Sequence, residues 1–280
     1  MSDTAAIVTC KLLDTGYCLA REGHLIRGGA RRTIHCHSLV ALLHHRDHGW
    51  LLWDAGYAPR MLEATRQFPF RIYRYLTPLR IDPALAVVSQ LAGLGLTHRD
   101  IGRVIISHFH ADHISGLRDF PEAQFIATAT AYDYIAGKQG MDAMQRAIIP
   151  ALLPDDFAAR VAPLPAFADA ALPGLGATHD LFGDGALRLV ALPGHARGQM
   201  GLLARTARGT ILFAADGCWL SRSIRENTPP ARITNPLADD VRAVAATIAH
   251  LHTFAQAQPD VTIIPSHCPE AFAREVPRWM

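Results

Sequence analysis

Six consecutive residues, His108-Phe109-His110-Ala111-Asp112-His113, put four side chains able to bind a metal into one short stretch. In an extended loop, His108 and His110 can point the same way and share one ion, while Asp112 and His113 can turn onto a second. Imidazole and carboxylate donors together suit zinc and other first-row divalent metals. Six residues cannot enclose two ions, so further donors must come from distant sequence. His195, Asp216 and His267 are available for this, in the segments Pro193-Gly194-His195, Ala215-Asp216 and Pro265-Ser266-His267. Two ions about 3.5–4 Å apart can share a hydroxide that is nucleophilic at neutral pH. One ion then polarises a carbonyl or phosphoryl oxygen and the other stabilises the leaving oxygen.

Each of these groups follows a run that reads as a strand: 103–107, 187–192, 210–214 and 261–264 are short and rich in apolar or β-branched residues. Ligand loops on a rigid sheet are what such a site needs. Upstream, the apolar runs 34–43 and 50–53 flank a polar, Gly-ended connection. They predict a hairpin whose second strand stops at Asp54-Ala55-Gly56. Between 57 and 98, Met61, Leu62, Phe68, Ile72, Leu76, Leu85, Val88 and Leu91 recur at helical spacings broken by Pro69, Pro78 and Pro83, which predicts two or three short helices. Residues 114–120 and 129–136 read as helices, with a strand at 124–128 between them. The stretch 150–180 carries five prolines and predicts an irregular, lid-like segment closing over the site. Asn235-Pro236 predicts a helix start, with Asn as the cap. Val241, Val244, Ile248, Leu251 and Phe254 give that helix a 3.6-period apolar face.

The chain has 280 residues and is 50% hydrophobic, enough for one α/β domain over 1–280 with a helical insertion at 57–98. The net charge is +2 and the basic residues are scattered, the densest group being Arg71, Arg74 and Arg80 on one expected helix face. The expected partner is therefore a small-molecule substrate, with neither nucleic acid nor membrane, and a homodimer is compatible with the sequence. No apolar stretch is long enough to span a bilayer, and residues 1–6 lack the basic start of a secretory signal, which predicts a cytoplasmic protein. The five cysteines, Cys10, Cys18, Cys36, Cys218 and Cys268, form no CxxC pair and read as free thiols. His35 and His37 alternate on a strand and His44, His45 and His48 sit in a turn. These are read as structural.

SHFHADHISG resembles the HxHxDH signature of metallo-β-lactamase-fold hydrolases. LLWDAG resembles their early strand ending in Asp-x-Gly, ALPGHARGQM their PGHxxG segment, FAADG their bridging aspartate and IIPSHC their final histidine. The resemblance implies a four-layer αββα sandwich with the site at one edge of two sheets. It implies His108, His110 and His195 on one metal, Asp112, His113 and His267 on the other, and Asp216 bridging both. Asp54 would hold the ligand loops without binding metal. Asp112 and Asp216 would be the catalytic carboxylates, Asp112 passing a proton to the leaving group. The expected cofactors are two divalent metal ions, zinc first among them.

Asp216 stands where true β-lactamases usually carry Cys, and His110 where the flavodiiron branch carries Glu, so neither activity is expected. The overall pattern resembles the N-acyl homoserine lactonase group. Two positions depart from it. Trp219 replaces a tyrosine whose phenol helps polarise the substrate carbonyl. An indole offers one N–H and no acidic hydroxyl, which makes Trp219 a candidate for the substrate pocket wall. Gln199 replaces a second histidine in the PGHxxG segment. The expected activity is thus hydrolysis of a small lactone or carboxylic ester. A phosphodiesterase or thioesterase on the same site, or a ligand-binding protein without turnover, are the alternatives.

Overall fold

Alternate residues along each strand face opposite sides of a sheet, and here the two sides are both apolar. In the strand Thr33–His45, Val40 and Leu42 face one core while Leu39, Ala41 and Leu43 face another. The same split recurs at Leu52 against Leu51 and Trp53, at Val104 against Ile105, and at Phe125 against Ile126. The computed structural model describes residues 7–279. Residues 1–6, on which the absence of a secretory signal was argued, lie outside the described residues.

Thirteen strands form one hydrogen-bonded network among the described residues. They are β1 (Val8–Arg21), β2 (Thr33–His45), β3 (Gly49–Trp53), β4 (Leu79–Arg80), β5 (Ile101–Ile105), β6 (Gln124–Thr128), β7 (Val161–Leu164), β8 (Asp169–Leu172), β9 (Gly176–Asp180), β10 (Leu187–Ala191), β11 (Met200–Thr206), β12 (Gly209–Ala215) and β13 (Thr262–Pro265). One half runs β7-β6-β5-β3-β2-β1, with β4 paired to β1, and the other holds β8 to β13 around β11. Among the described residues the strands of the two halves pair at Val8 of β1 with Thr206 of β11.

Three cores separate four layers. The middle core lies between the sheet halves and takes Leu43, Trp53, Ile105, Leu202 and Phe213. The outer core of the first half takes Val40, Leu52, Val104 and Phe125 with Met61, Leu91 and Phe157 from helical segments. The outer core of the second half takes Val190, Leu203 and Leu212 with Ile248, Leu251 and Phe254 of the helix Val241–Ala257. This is the αββα sandwich expected from the sequence.

The hairpin β2–β3 pairs His45 with Gly49 as expected, and three short helices, Arg60–Ala64, Arg71–Leu76 and Val87–Gly93, occupy the 57–98 region. Four expectations are corrected. Residues 150–180 are not an irregular lid: they hold β7, β8 and β9 and a helix at Phe157–Arg160. The prolines fit because Pro163 lies on β7, the last strand of its half, where a missing N–H costs no ladder bond on the open side. Pro150 opens a 3₁₀ turn at its first position. The long helix starts at Val241, not Asn235, because Asp240 caps the backbone N–H groups of Arg242 (2.8 Å) and Ala243 (3.1 Å), while Pro236 sits inside a separate 3₁₀ segment. Residues 114–120 are split: a helix ends at Ile114 and a 3₁₀ turn takes Leu117–Asp119. Arg80 belongs to β4 and not to the helix that carries Arg71 and Arg74.

The helix Val241–Ala257 covers one whole outer face, so its apolar stripe should dominate the stability of that layer. Leu251→Ala, at a fully buried position, is expected to lower unfolding stability by about 2–5 kcal/mol, read by denaturant titration. An unchanged midpoint would mean that the helix does not pack on the sheet as described.

Candidate metal centre

All the chemically competent residues of the sequence reading follow strand ends. β5 leads into Ser107 and His108, β10 into His195, β12 into Asp216 and β13 into His267. The loop ends are tied to each other by backbone bonds: Asp54 N–H to Ile105 O, Ala55 N–H to His113 O, Met200 N–H to Ser107 O, and Ser266 N–H to Ala215 O. Asp54 and Ala215 adopt left-handed backbone conformations, at φ 61° and 45°. For a non-glycine residue such a conformation costs energy and persists only where its surroundings enforce it. Both residues stand where a strand turns into the site. Gly194, at φ 125°, lies against the start of the helix Val241–Ala257, where a Cβ would strike the backbone of Ala243 and Val244. The bond from Thr247 Oγ1 to Pro193 O (2.6 Å) clamps the same loop, so His195 is held by the outer helix.

Three groups of side chains each offer donor atoms lying within 4.8 Å of one another: His108, His110 and His195; His108, His113 and Asp216; and Asp112, His113 and His267. Asp216 sits between them, its carboxylate oxygens 3.1 Å from His195 Nε2, 3.4 Å from His113 Nε2 and 3.0 Å from His267 Nε2. Asp112 Oδ2 lies 3.4 Å from His267 Nε2. His110 Nδ1 and His195 Nε2 are 2.8 Å apart. The structure thus brings together all seven residues that the sequence pointed to.

These residues fit a bound cation. His108 Nε2, His113 Nε2 and Asp216 Oδ1 are buried and make no hydrogen bond of good geometry among the described residues, although His113 Nε2 and Asp216 Oδ1 lie close to one another, whereas buried polar atoms are normally satisfied. Their opposite faces are satisfied. Asp54 accepts from Ser107 N–H (2.8 Å) and from Ser107 Oγ–H (2.8 Å), and it contacts His113 Nδ1 at 2.7 Å. His108 Nδ1 lies 3.0 Å from Ser107 Oγ, and His267 Nδ1 meets the His37 carbonyl. A carboxylate or carbonyl behind a histidine fixes its tautomer and aims the other nitrogen. Ser107 and Ser38, whose hydroxyl bonds the Asp112 carbonyl at 2.8 Å, were not singled out in the sequence. The only trace of Ser107 there is a small polar residue between β5 and the first histidine.

The electrostatics divide the cluster. Burial and the neighbouring imidazoles push His108 and His110 well below the ordinary histidine range, so both are neutral and ready to donate a lone pair. Burial works in the same direction on His113, but Asp54, Asp112 and Asp216 outweigh it and hold His113 well above that range. His267 is lifted to about 9 against its burial, mainly by Asp216. Burial would raise Asp216, but His267, His195 and His113 hold its carboxyl well below the usual range. A divalent cation arriving here competes with protons on His113 and His267.

Two cavities meet at His195. The first, of about 400 Å³ including its open mouth, is lined by Phe109, His110, Tyr134, Ile135 and Arg146 and by the Arg197–Asp239 pair (3.1 Å). The second, of about 700 Å³ including its open mouth, has Asp216 and Trp219 at one end. Neither takes a lining residue from 150–180. Trp219 lies where a pocket wall was expected, but its indole N–H donates to Asp216 Oδ2 at 2.9 Å. Gln199 is buried away from the cluster's donors, its amide donating to Leu192 O.

The family model of the metallo-beta-lactamase superfamily matches residues 34–217, well over half of the chain. The chain belongs to the metallo-beta-lactamase superfamily. It is 28% identical over 200 residues to the N-acyl homoserine lactonase AttM of Rhizobium radiobacter, covering 69% of this chain and 68% of that one. Over 228 residues it is 25% identical to the N-acyl homoserine lactonase AiiB of Agrobacterium fabrum, covering 80% and 76%. Its fold matches that of an N-acyl homoserine lactone hydrolase solved with N-hexanoyl-L-homoserine at the catalytic metal centre. The TM-score is 0.74 and the identity 16%, over 99% of this chain and 100% of that one. The dizinc quorum-quenching lactonase AidC shares the fold at a TM-score of 0.63 and 17% identity, over 95% and 89%. Membership of the superfamily, with these relatives and this cluster, makes the chain a metal-dependent hydrolase.

Asp54 is the test of the support behind the cluster. Asp54→Asn keeps the shape but loses the charge facing His113, and is expected to weaken metal affinity by about 10–100-fold in chelator competition. Wild-type affinity in that variant would mean that Asp54 only caps its turn.

Proposed function

We propose that the protein is a dinuclear hydrolase of small lactones or carboxylic esters. The observation that carries this reading is the placement of three overlapping donor groups around Asp216, which itself lines an open, largely apolar cavity; a mostly apolar pocket with a few convergent polar groups is the usual form of a small-molecule site. The relatives named above, lactonases by name, support the choice of a carbonyl substrate. His108, His110 and His195 would hold one ion, Asp112, His113 and His267 the other, and Asp216 would bridge them. Zinc suits this donor set first, with other first-row ions as alternatives. Two such ions, when bound, supply a nucleophile from water at neutral pH and polarise the carbonyl oxygen.

The chain's own residues do the rest. Asp54 and the His37 carbonyl hold His113 and His267 so that their Nε2 atoms converge on Asp216. Trp219 keeps Asp216 Oδ2 in place and walls the cavity on which the acyl part of the substrate would lie. Asp112 would pass a proton to the leaving alkoxide oxygen, a second use of a carboxylate that also binds metal. The cytoplasm is the compartment that best suits the chain: its five cysteines are free, as reducing conditions keep them, and no helix among the described residues is long and apolar enough to cross a membrane.

Protein purified without added metal should carry about two equivalents of a divalent ion and hydrolyse a long-chain lactone or a short aryl ester. Chelation should abolish turnover and added zinc restore it. Persistent activity after metal removal, or turnover of a bis-aryl phosphodiester alone, would overturn the reading. Asp112→Asn, assayed with metal content in the same samples, is expected to lose about 100-fold or more in turnover. Full metal content with unchanged turnover would remove the proton role from Asp112.

A further inference from the structure

The cavity at Asp216 has a second set of polar lining residues. Pro229, Pro230, Val241, Val244 and Ile248 give it apolar walls, and Arg27 and Arg232 complete its lining. The two arginines come from segments about two hundred residues apart, yet their backbones are stitched together. Arg27 N–H bonds Pro229 O and Ala231 N–H bonds His24 O, each at 3.0 Å. The two arginines therefore stand on one fixed stretch of backbone, and both, exposed to solvent, line the cavity. Most arginines near this region are neutralised: Arg32 and Arg222 by Glu22, Arg225 by Glu270, and Arg197 by Asp239. Arg27 and Arg232 have no carboxylate partner among the described residues, and Asp216 is the only carboxylate in the cavity lining. The cavity lining thus combines His195 and Asp216 of the metal cluster, a group of apolar side chains, and two arginines without a carboxylate partner among the described residues.

We infer that Arg27 and Arg232 select substrates whose acyl arm ends in a carboxylate. This rests on the ester or lactone reading above and names the substrate class more closely. The reactive carbonyl lies at His195 and Asp216, the arm crosses Pro229, Pro230 and Ile248, and the terminal carboxylate is met by the guanidiniums. An arginine presents parallel N–H donors that match a carboxylate. Both arginines are exposed, so each contact is worth little alone and is screened by salt, and the preference depends on two guanidiniums meeting one carboxylate.

The test compares two aryl esters of equal medium chain length on the zinc-loaded protein, one of an n-alkanoic acid and one a monoester of the matching α,ω-diacid. The inference expects kcat/KM to favour the anionic ester by about tenfold or more, and the preference to shrink with added salt. In the double variant Arg27→Gln/Arg232→Gln the ratio should approach one. Arg71→Gln, on a helix that does not line the cavity, should keep it. Thermal unfolding of each variant checks that it is folded. Equal turnover of both esters by the wild type would overturn the inference and leave the hydrolase reading standing. If neither ester is hydrolysed, the hydrolase reading falls, and calorimetric titration with the free diacid and monoacid decides the role of the two arginines. Arginine-dependent preference for the diacid would sustain it, and equal or absent binding would overturn it.

Discussion

A carboxylate with no exposed surface carries the weight of this site. Asp54 is fully buried, and a buried carboxylate is tolerated only when charge and hydrogen bonds compensate for lost water. Ser107 provides two donors and His113 a third. Those contacts join the end of β3 to the end of β5 and to the histidine loop, so the sheet cannot close without placing that loop. The left-handed backbone at Asp54 is the local cost of turning its side chain inward. Once His113 is aimed, its carbonyl accepts from Ala55 N–H, which closes the tie on both sides of the imidazole.

Asp216 answers from the other half of the sheet. It emerges from β12 through the left-handed Ala215 and reaches histidines that follow β5, β10 and β13. The site is therefore assembled across the line where the two sheet halves meet, and neither half contains it alone. The division of charge follows from this placement. His108 and His110 lie among other imidazoles and stay neutral, whereas His113 and His267 lie among carboxylates and hold their protons firmly. Such a cluster stores its positive charge on protons that a divalent ion can replace, which makes occupancy depend on pH through exchange as well as affinity.

The six-residue motif was legible because its donors are contiguous and follow a β-branched run. His195, Asp216 and His267 were legible because each closes a short apolar strand. The four layers were implied by the family resemblance, and the structure bears them out with strands apolar on both faces, as at Leu51, Leu52 and Trp53. What escaped has a physical reason in each case. β7 and β8 are the end strands of the sheet and β9 is the neighbour of β8, places where prolines and polar residues are tolerated, so their pattern imitates a loop. The cap at Asp240 was hidden by Asn235-Pro236, an equally good local signal that tertiary packing turned into a 3₁₀ segment. Arg27 and Arg232 have no spacing relation at all, since backbone bonds between remote turns bring them together.

Trp219 shows how one substitution shifts chemistry inside a preserved framework. A phenol at this place would have an acidic hydroxyl to offer a substrate. The indole has one N–H, and the structure commits it to Asp216 Oδ2 at 2.9 Å. That oxygen also faces His195 and His267, so the indole steadies the residue on which both halves of the cluster converge. The ring stands edge-on to His195 at 5.4 Å between centroids and forms a rigid wall where the cavity begins. Trp219 therefore holds Asp216 and shapes the entrance, with no further hydrogen-bond donor left to offer a bound molecule. Selectivity must then come from farther along the cavity, where the walls are apolar and the remaining charges are unpaired.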